Sequence, residues 1–546
     1  MPSEPVFRVP VGPEARRWVT VDAERDVLAV ARTFTSATRL LDALEAFRGD
    51  LRVQVVFAVD ETSAFNDGII GLLRSEGARI IPWDQISGTK FDLAVTASEN
   101  IEIRPIGAPV VVIPHGIGFH KYVPDSESLD ARVSGVVPES RLRDGHVIMT
   151  AAHPAQRDQL AATHPEAALR TVIVGDPTYD RIRACLTLRD QYRRALGVAP
   201  RARLTVLSST WGRGSLLGRH PDLPVRLLAE LPADEHQVAL VVHPNVWFGH
   251  GPWQVRSWLA DARDAGLLLI PPDTGWQAAL IAADTLIGDH GSVTVYGAAI
   301  GRPVLLACFG DETVPGTPLA EFGRRAPWLD PDVALRPQVE SAGADTSLTS
   351  IAAGMFATTG RTSLSGLLYS VLELPPPDGA ARARALPDPR ADHGPQTVAS
   401  YIVFTSIGDD GEIALSRHPA AAGAPADGPP GAVRHLCAGE HEPDRLLPGN
   451  ASVLYRRGPA TADDGRAWAA GALRGYPGAQ VAAAATPDGC VAATRGGRDI
   501  TAVTGAPTSL AASVLYTALR AGRLATGRLT ARTGAATHAL DIDASS

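Results

Sequence analysis

A chain of 546 residues, 45% hydrophobic and 20% charged, is long enough for two to four domains and too apolar to be disordered. Its net charge of −8 gives no basic surface for nucleic acid as a main partner. The four cysteines stand singly, without metal-site or redox spacing, and the polar N-terminus has no apolar signal core. No apolar run reaches the roughly 18 residues of a transmembrane segment. We therefore expect a cytoplasmic protein, with peripheral contact at the inner membrane face left open.

The first part of the chain, from Asp26 to Asp180, alternates short apolar runs with longer segments of helical period. Strands that are apolar along their whole length are buried on both faces, as parallel strands covered by helices are. The pattern therefore predicts a doubly wound α/β sheet. Its strands are predicted at residues 27–31, 53–59, 79–81, 93–97, 110–113, 146–151 and 171–175, and its clearest helices at 35–47 and 64–77.

A second run of the same kind begins near Arg203 and predicts a second doubly wound sheet. Two consecutive Rossmann-like domains form a bilobed molecule with a cleft between facing strand ends. A last helical stretch, residues 350–374, can either close the second domain or cross back to the first. The predicted strands are 204–209, 238–243, 267–270, 285–288 and 304–308, and the predicted helices are 225–231, 255–266 and 276–283.

The rest of the chain has a different pattern. Residues 376–395, rich in Pro, Gly and Ala, are typical of a linker. Two strand–turn–strand hairpins and two helices, near 463–473 and 509–520, follow and predict a small α+β accessory domain. The predicted domains are 1–180, 181–375 and 396–546, joined by that linker.

Ligands of doubly wound sheets bind beyond the carboxyl ends of the strands, so reactive side chains at those positions are candidates for the site. His115 follows the strand 110–113, and Gly116 beside it lets the backbone approach a ligand closely. A histidine there can act as general base toward an acceptor hydroxyl. The alternative is a structural histidine that caps a turn.

His243 ends the strand 238–243, where Pro244 stops the hydrogen-bond ladder. It can donate to a phosphate oxygen and, when protonated, offset charge on a leaving nucleotide. It can equally be a surface histidine in a turn.

The tight turn Asp289-His290-Gly291-Ser292 joins the strand 285–288 to a helix predicted to start near Ser292. The free N–H groups and the positive dipole end of a helix N-terminus bind phosphates. Ser292 Oγ and the Gly291 N–H are natural phosphate donors, with His290 beside them. Asp289 can instead be an ordinary N-cap.

Two further segments support a site between the domains. Asp176 lies in GDPTYDRI at the predicted junction, and Thr210 and Arg213 lie in SSTWGRG after the first strand of the second domain. Arg213 can contact a diphosphate with two parallel hydrogen bonds. Its glycine-flanked loop can equally be a plain solvated loop.

In this order, the segments resemble the CDP-glycerol glycerophosphotransferase family, the teichoic-acid polymerase type of GT-B enzyme, over roughly residues 100–310. The matching motifs are His115-Gly116, Gly175-Asp176-Pro177-Thr178-Tyr179-Asp180, Ser209-Thr210-Trp211-Gly212-Arg213, His243-Pro244, Gly288-Asp289-His290-Gly291-Ser292 and Gly301-Arg302-Pro303.

The resemblance implies a transferase of cell-wall teichoic-acid synthesis with His115 as acceptor base and with His243, Ser292 and their neighbours at the donor pyrophosphate. It implies a CDP- or UDP-linked donor, a hydroxyl acceptor such as a polymer or lipid-linked molecule, no cofactor and no catalytic metal. The chain departs from the family at Thr178, where arginine is usual, and at His290-Gly291, which replace Tyr-Ser. A glycosyl group is therefore an alternative to glycerol phosphate.

Two other functions stay open. One is an epimerase like the UDP-N-acetylglucosamine 2-epimerases, which share the two-lobed fold and a similar turn; Asp273 and Asp311 are its loose acid/base candidates. The other is a non-catalytic relative that binds nucleotide without turnover.

Overall fold

The computed structural model describes residues 8–11, 17, 20–63, 66–124, 131–143, 146–377, 384–392, 397–423 and 428–545. Most of the polar N-terminus, the first two residues of the predicted helix 64–77, and residues 378–383 and 393–395 of the predicted linker lie outside these described residues.

Parallel strands with apolar, buried side chains form the first sheet, as the sequence pattern predicts. The strands of this part of the chain are β1 (Arg25–Ala31), β2 (Val53–Val59), β3 (Leu93–Thr96), β4 (Val110–Val112), β5 (Tyr122–Pro124), β6 (Ala131–Val133), β7 (Val147–Ala151) and β8 (Thr171–Ile173). Six of them are ordered β2-β1-β3-β4-β7-β8, and β5 and β6 form a separate antiparallel pair. The helices are α1 (Phe34–Leu44), α2 (Ile69–Ser75), α3 (Glu139–Leu142), α4 (Pro154–Thr163), α5 (Pro165–Leu169), α6 (Pro177–Ala184) and α7 (Arg189–Ala195).

The strand predicted at residues 79–81 is wrong. Ile80 makes only a single parallel bridge to Phe57 at the edge of the sheet. Pro82 follows directly and has no N–H to continue the ladder, so the pairing ends after one bridge.

The second sheet is also fully parallel, in the order β11-β10-β9-β12-β13. Its strands are β9 (Arg203–Ser209), β10 (His236–Val242), β11 (Leu268–Ile270), β12 (Thr285–Gly288) and β13 (Val304–Leu306). The helices of this region are α8 (Leu216–Arg219), α9 (Leu223–Glu230), α10 (Pro244–His250), α11 (Pro252–Trp258), α12 (Ala260–Asp264), α13 (Trp276–Ala282), α14 (Ser292–Ala299), α15 (Pro318–Arg325), α16 (Leu335–Ser341), α17 (Thr346–Ala353) and α18 (Leu364–Val371). The predicted single helix 255–266 is two helices, α11 and α12, with Leu259 between them.

The stretch predicted as one helix at 350–374 is also two helices, α17 and α18, and the second crosses back to the first sheet. Leu367 and Leu368 are buried in the same apolar cluster as β1 and α1. The Tyr369 hydroxyl donates to Asp50 Oδ2 at 2.8 Å. The core of the first domain is therefore completed by a helix that follows the second domain in the chain.

Residues 384–392, the described part of the predicted linker between its two gaps, lie against the second domain. Leu386 is buried and its N–H donates to Cys185 Sγ at 3.3 Å. Asp392 accepts two hydrogen bonds from Arg256, at 2.6 and 2.8 Å. These contacts hold this part of the segment against the second domain.

The predicted small α+β domain is instead a closed nine-stranded barrel, ordered β14-β15-β21-β22-β20-β19-β18-β17-β16. Its elements are β14 (Ser400–Ile407), β15 (Ile413–Pro419), β16 (Val433–Gly439), α19 (Leu446–Asn450), β17 (Val453–Arg456), α20 (Ala462–Gly475), β18 (Val481–Thr486), β19 (Gly489–Thr494), β20 (Asp499–Val503), α21 (Thr508–Arg520), β21 (Gly527–Thr533) and β22 (Ala536–Ser545). Both predicted hairpins, β14–β15 and β18–β19, and both predicted helices, α20 and α21, are confirmed. Closure was missed because it depends on pairs far apart in the chain, such as Ile413 with Ala531.

Helix α21 fills the barrel. Every residue from Ser509 to Ala518 is buried, so this helix has no solvent face over that length. Residues on β18 alternate, with Val481 and Ala483 in the apolar cluster around α21 and Ala482 in the cluster with α20. The barrel therefore has its own core, with α20 covering one side of its outer surface.

The barrel docks on the second domain through a buried ion pair. Both terminal nitrogens of the Arg417 guanidinium are engaged: Nη2 lies on Asp234, and Nη1 donates to Ser509 Oγ at 2.6 Å. Asp234 precedes β10, so this contact lies at the amino end of a strand whose carboxyl end carries His243. The barrel is thus attached to the edge of the sheet opposite the predicted site.

His435 on β16 is buried with both ring nitrogens unpartnered by any described residue. Its ring packs against Tyr516 of α21, with centroids 4.7 Å apart. Burial, helped by the charge of Arg520, lowers the pKa of His435 to about 3. The imidazole is therefore neutral in the folded protein.

We expect His435→Phe to reduce the loss of stability in acid. An unfolded imidazole takes up a proton near pH 6.5, roughly. Between that pH and about 3 the unfolded state binds more protons, so acid favours unfolding by up to about 1.4 kcal/mol per pH unit. The free energy of urea unfolding, measured between pH 6.5 and 4.5, should fall less steeply in the variant.

The matched control is His441→Phe, since the His441 side chain is 91% exposed and should not alter the slope. If the free energy of unfolding fell equally steeply with pH in the wild type and in His435→Phe, protonation of His435 would not contribute to the loss of stability in acid.

Candidate active site between the two sheets

The predicted site residues of the second domain lie at the point where the strand order reverses. Strands β10 and β11 lie on one side of β9, and β12 and β13 lie on the other. The loops after β9 and β12 therefore leave the sheet in opposite directions and open a crevice at its carboxyl edge. Thr210 follows β9 and Asp289 follows β12, so both lie at this crevice.

His115 lies at the corresponding edge of the first sheet, three residues after β4. Its side chain is 40% exposed, and its Nδ1 lies 3.8 Å from Glu99 Oε2. Glu99 follows β3, the neighbour of β4, and its other oxygen accepts from Arg132 Nη2 at 2.8 Å. An accessible imidazole backed by a buried carboxylate can accept a proton from a substrate hydroxyl.

Glu99 was not among the site residues predicted from the sequence. The available signal was the polar run Ser98-Glu99-Asn100 directly after an apolar strand. The pKa of Glu99 lies below its usual value: burial raises it, and the charges of His115 and Arg132 lower it by more. The buried carboxyl group is therefore ionised at neutral pH.

His243 begins helix α10, and its Nδ1 accepts a hydrogen bond from the Asn245 N–H at 3.1 Å. The ring proton of the neutral imidazole is consequently on Nε2. Burial, with added repulsion from His115 and Lys121, lowers the pKa of His243 to about 3. His243 can thus donate a hydrogen bond to an anion, but it brings no positive charge at pH 7.

Asp289 is fully buried and accepts three backbone hydrogen bonds. Its Oδ2 accepts from the N–H groups of Thr210 and Leu216, at 2.8 and 2.9 Å, and its Oδ1 accepts from Gly291 at 2.8 Å. A carboxylate repels phosphate, and both of its oxygens are already occupied. Asp289 therefore fixes the loop after β9 to the turn after β12, and its side chain does not fit the predicted contact with phosphate.

His290 is also buried and points to the loop after β13. Its Nδ1 accepts from the Gly310 N–H at 3.0 Å, and its Nε2 lies 2.5 Å from Glu312 Oε1. The hydrogen bond from His290 lowers the pKa of Glu312 to about 2. The His290 side chain is thus engaged within its own domain.

The turn containing Gly291 and Ser292 meets the loop that carries His115. The Ile117 N–H donates to Ser292 Oγ at 3.4 Å, and a Cβ at Gly116 would lie only 2.8 Å from the same oxygen. A Cβ at Gly291 would lie 2.9 Å from Asp289 Oδ1. Both glycines therefore allow close backbone approach, and the first turn of α14 lies directly against the first domain.

Arg213 lies in the exposed loop after β9, and no ion pair joins it to any residue that the structure describes. Trp211 in the same loop lies near His243, with ring centroids 6.5 Å apart. Asp289 holds this loop at Thr210 and Leu216, so the arginine lies between two fixed points. Its guanidinium is available for an anionic ligand.

Asp176 lies deeper, where it joins both domains. Its Oδ2 accepts from Arg39 Nη2 of α1 and from the Tyr296 hydroxyl of α14, both at 2.7 Å. Its Oδ1 accepts a hydrogen bond from the Tyr179 N–H at 2.9 Å, and this bond caps the N-terminus of α6. Asp176 is 3% exposed, so its contacts are those of a junction residue that fixes α14 against α1.

A cavity of about 20 Å³ lies beside this junction, lined by Arg39, Asp176 and Gly116 among others. A space of this size holds roughly one water molecule. It is far too small for a nucleoside diphosphate.

The two carboxylates considered for an epimerase, Asp273 and Asp311, are both exposed. No cluster of His, Cys, Asp or Glu in the described part of the chain has the composition of a metal site. None of the helices among the described residues is both long and apolar enough to cross a bilayer.

We expect Asp289→Ala to destabilise the protein by about 3 kcal/mol or more, because three N–H groups lose a buried acceptor and each unsatisfied group costs about 1–3 kcal/mol. Urea unfolding measures the change. Asp273→Ala removes an exposed aspartate after β11 and serves as the matched control. Equal stability of the two variants would contradict the role assigned to Asp289.

Comparison with protein-family models and with curated proteins finds no match for the chain. Similar solved structures include the wall teichoic acid polymerase TagF, 12% identical with a TM-score of 0.42, over 65% of this chain and 89% of that one. Anabaena HepE, in complex with UDP-glucose, is 14% identical with a TM-score of 0.37, over 64% and 98% of the two chains. S. aureus MnaA with UDP is 12% identical with a TM-score of 0.39, over 64% and 97%.

Proposed function

We propose that this protein is a transferase that moves a group from a nucleotide-activated donor to a hydroxyl of an acceptor. One observation carries the proposal: the carboxyl edges of two parallel sheets bring His115, His243 and the first turn of α14 to the same crevice. A proton acceptor in the first domain thus faces uncharged hydrogen-bond donors in the second domain that can bind an anion.

The donor diphosphate is proposed to bind at the start of α14. The N–H groups of Ser292 and Val293 and the Ser292 hydroxyl offer hydrogen bonds to phosphate oxygens, and the helix dipole favours the negative charge. The Gly291 N–H, predicted as a phosphate donor, is instead donated to Asp289 Oδ1. Arg213 and the Nε2–H of His243 complete the anion site. Ser292 Oγ accepts a hydrogen bond from the Ile117 N–H, so its own O–H is left to donate to a phosphate oxygen.

In the proposed reaction, His115 takes the proton of the acceptor hydroxyl as its oxygen attacks the donor. If the transferred group is a glycosyl group, the bond from carbon to the diphosphate oxygen breaks and the nucleoside diphosphate leaves. If it is glycerol phosphate, a phosphorus–oxygen bond of the diphosphate breaks and the nucleoside monophosphate leaves. In both cases the electron pair stays on phosphate, where the donors at α14 and Arg213 stabilise the charge.

The finer proposal, a CDP-linked donor of glycerol phosphate used in teichoic-acid synthesis, rests on the motif resemblance. One departure has a local compensation, because the Arg39 guanidinium of α1 hydrogen-bonds the Thr178 hydroxyl at the position where the family has arginine. A UDP-linked glycosyl donor is the second candidate, since the altered turn at His290 lies in the donor site.

We expect His115→Ala to lower kcat by about 100-fold or more, the usual contribution of a general base, while nucleotide affinity changes little. Transfer to a hydroxyl acceptor and nucleotide binding are measured separately. The matched control is His146→Ala, an exposed histidine of the same domain, which should keep full activity. Unchanged turnover in the His115 variant would remove it as the base.

A thermal-shift screen with CDP, UDP, GDP, TDP and ADP, with and without EDTA, tests the donor site. A ligand at about 100 times its Kd stabilises the folded state by about 2.7 kcal/mol, which raises Tm. We expect one nucleotide to act regardless of EDTA and Ser292→Ala to weaken its effect. The matched control is Ser341→Ala, which replaces an exposed serine on α16 and should leave the nucleotide-induced rise in Tm unchanged. No shift with any nucleotide would mean that the donor site is misplaced.

A further inference from the structure

The carboxyl group of Glu99 lies between the Arg132 guanidinium and the His115 imidazole, both of the first domain. It is 5% exposed, with Oε1 at 2.8 Å from Arg132 Nη2 and Oε2 at 3.8 Å from His115 Nδ1. Each oxygen therefore faces a different partner. The second distance is about 1 Å longer than a hydrogen bond, which is common for catalytic groups before substrate binds.

Other charged groups surround this pair. Arg32 lies 4.0 Å from Asp60, and Arg141 donates to the backbone oxygen of Glu99 at 3.5 Å. Asp60 is already bonded to the Thr62 hydroxyl and to the Glu102 N–H. His243 faces His115 across the crevice, and the charges of His115 and Lys121 both lower the pKa of His243 after the larger effect of its burial. Of these groups, only Glu99 brings a carboxylate within 4 Å of His115.

We propose that Glu99 is a positioning residue for His115, an inference that rests on the proposed function. A carboxylate at Nδ1 holds the ring proton there and leaves the Nε2 lone pair free for the acceptor hydroxyl. When Nε2 takes the substrate proton, the same carboxylate stabilises the imidazolium. Arg132 keeps Glu99 ionised, so the proton remains on His115 and can pass to solvent or product.

A purely structural alternative exists. Arg132 lies on β6, and its bond to Glu99 ties the β5–β6 pair to the sheet. If that were the only role, replacing Glu99 would lower stability without changing the pH dependence of turnover. The two roles therefore differ in what they predict.

The test compares Glu99→Gln, which keeps the shape and removes the charge, with Glu99→Asp, which keeps the charge. We expect kcat of the Gln variant to fall about 10- to 100-fold, part of the full contribution of a general base, with the donor KM within about twofold. The acid limb of its kcat–pH profile should move to lower pH, because protonated His115 loses its counter-charge. The Asp variant should recover part of kcat.

Glu102→Gln is the matched control, since it removes a carboxylate on the same loop that is 42% exposed and paired loosely with Arg104 at 4.0 Å. It should leave both kcat and the profile unchanged. A Gln variant of Glu99 with wild-type kcat, or with lower kcat and an unmoved acid limb, would overturn the proposal.

A second measurement does not depend on transfer. In protein labelled with ¹⁵N-histidine, the His115 signals, assigned by their loss in His115→Gln, are followed through a pH titration. The midpoint should move to lower pH in Glu99→Gln and stay in place in Glu102→Gln; an unmoved midpoint overturns the coupling. If the wild type transfers nothing, the proposed function fails while this titration still reports on the pair.

Discussion

The three hydrogen bonds accepted by the Asp289 carboxylate are the constraint on which the proposed donor site depends. They join the loop after β9 to the turn after β12 at the point where the strand order of the second sheet reverses. Without them, the Arg213 loop and the first turn of α14 would have no fixed relation to each other. The buried charge is tolerated because backbone dipoles replace its hydration.

The two walls of the crevice differ in their electrostatics. The first-domain wall carries an ionised carboxylate, Glu99, between the Arg132 guanidinium and the His115 imidazole. The second-domain wall offers mainly neutral donors, which are the uncharged His243 imidazole and the N-terminal turn of α14. Proton transfer needs a group that can change its charge, whereas a leaving phosphate needs donors that stay in place. The first domain thus carries the group that takes the acceptor proton, and the second domain carries the donors that stabilise the leaving phosphate in the proposed reaction.

Both parallel sheets could be predicted because their strands are apolar on both faces and bounded by turns, as Val53–Val59 and Thr285–Gly288 show. The pairing of Glu99 with His115 could not, because it arises from two neighbouring strands whose order is a tertiary property. Likewise, closure of the barrel depends on contacts such as Ile413 with Ala531 that have no local signature. The positions of His115, His243 and Ser292 could be predicted because each lies just after a predicted strand. That the side chains of Asp289 and His290 are already engaged by other residues could not be predicted, because those partners are close only in the folded protein.

The return of α18 to the first sheet makes that domain discontinuous in sequence. Leu367 and Leu368 are packed in its core, yet they follow the whole second domain along the chain. A fragment that stopped after β8 would lack α18 and would expose the apolar surface that Leu367 and Leu368 cover. The two domains therefore cannot be exchanged independently between proteins. A replacement second domain has to be followed by a helix whose side chains pack into the core of the first domain.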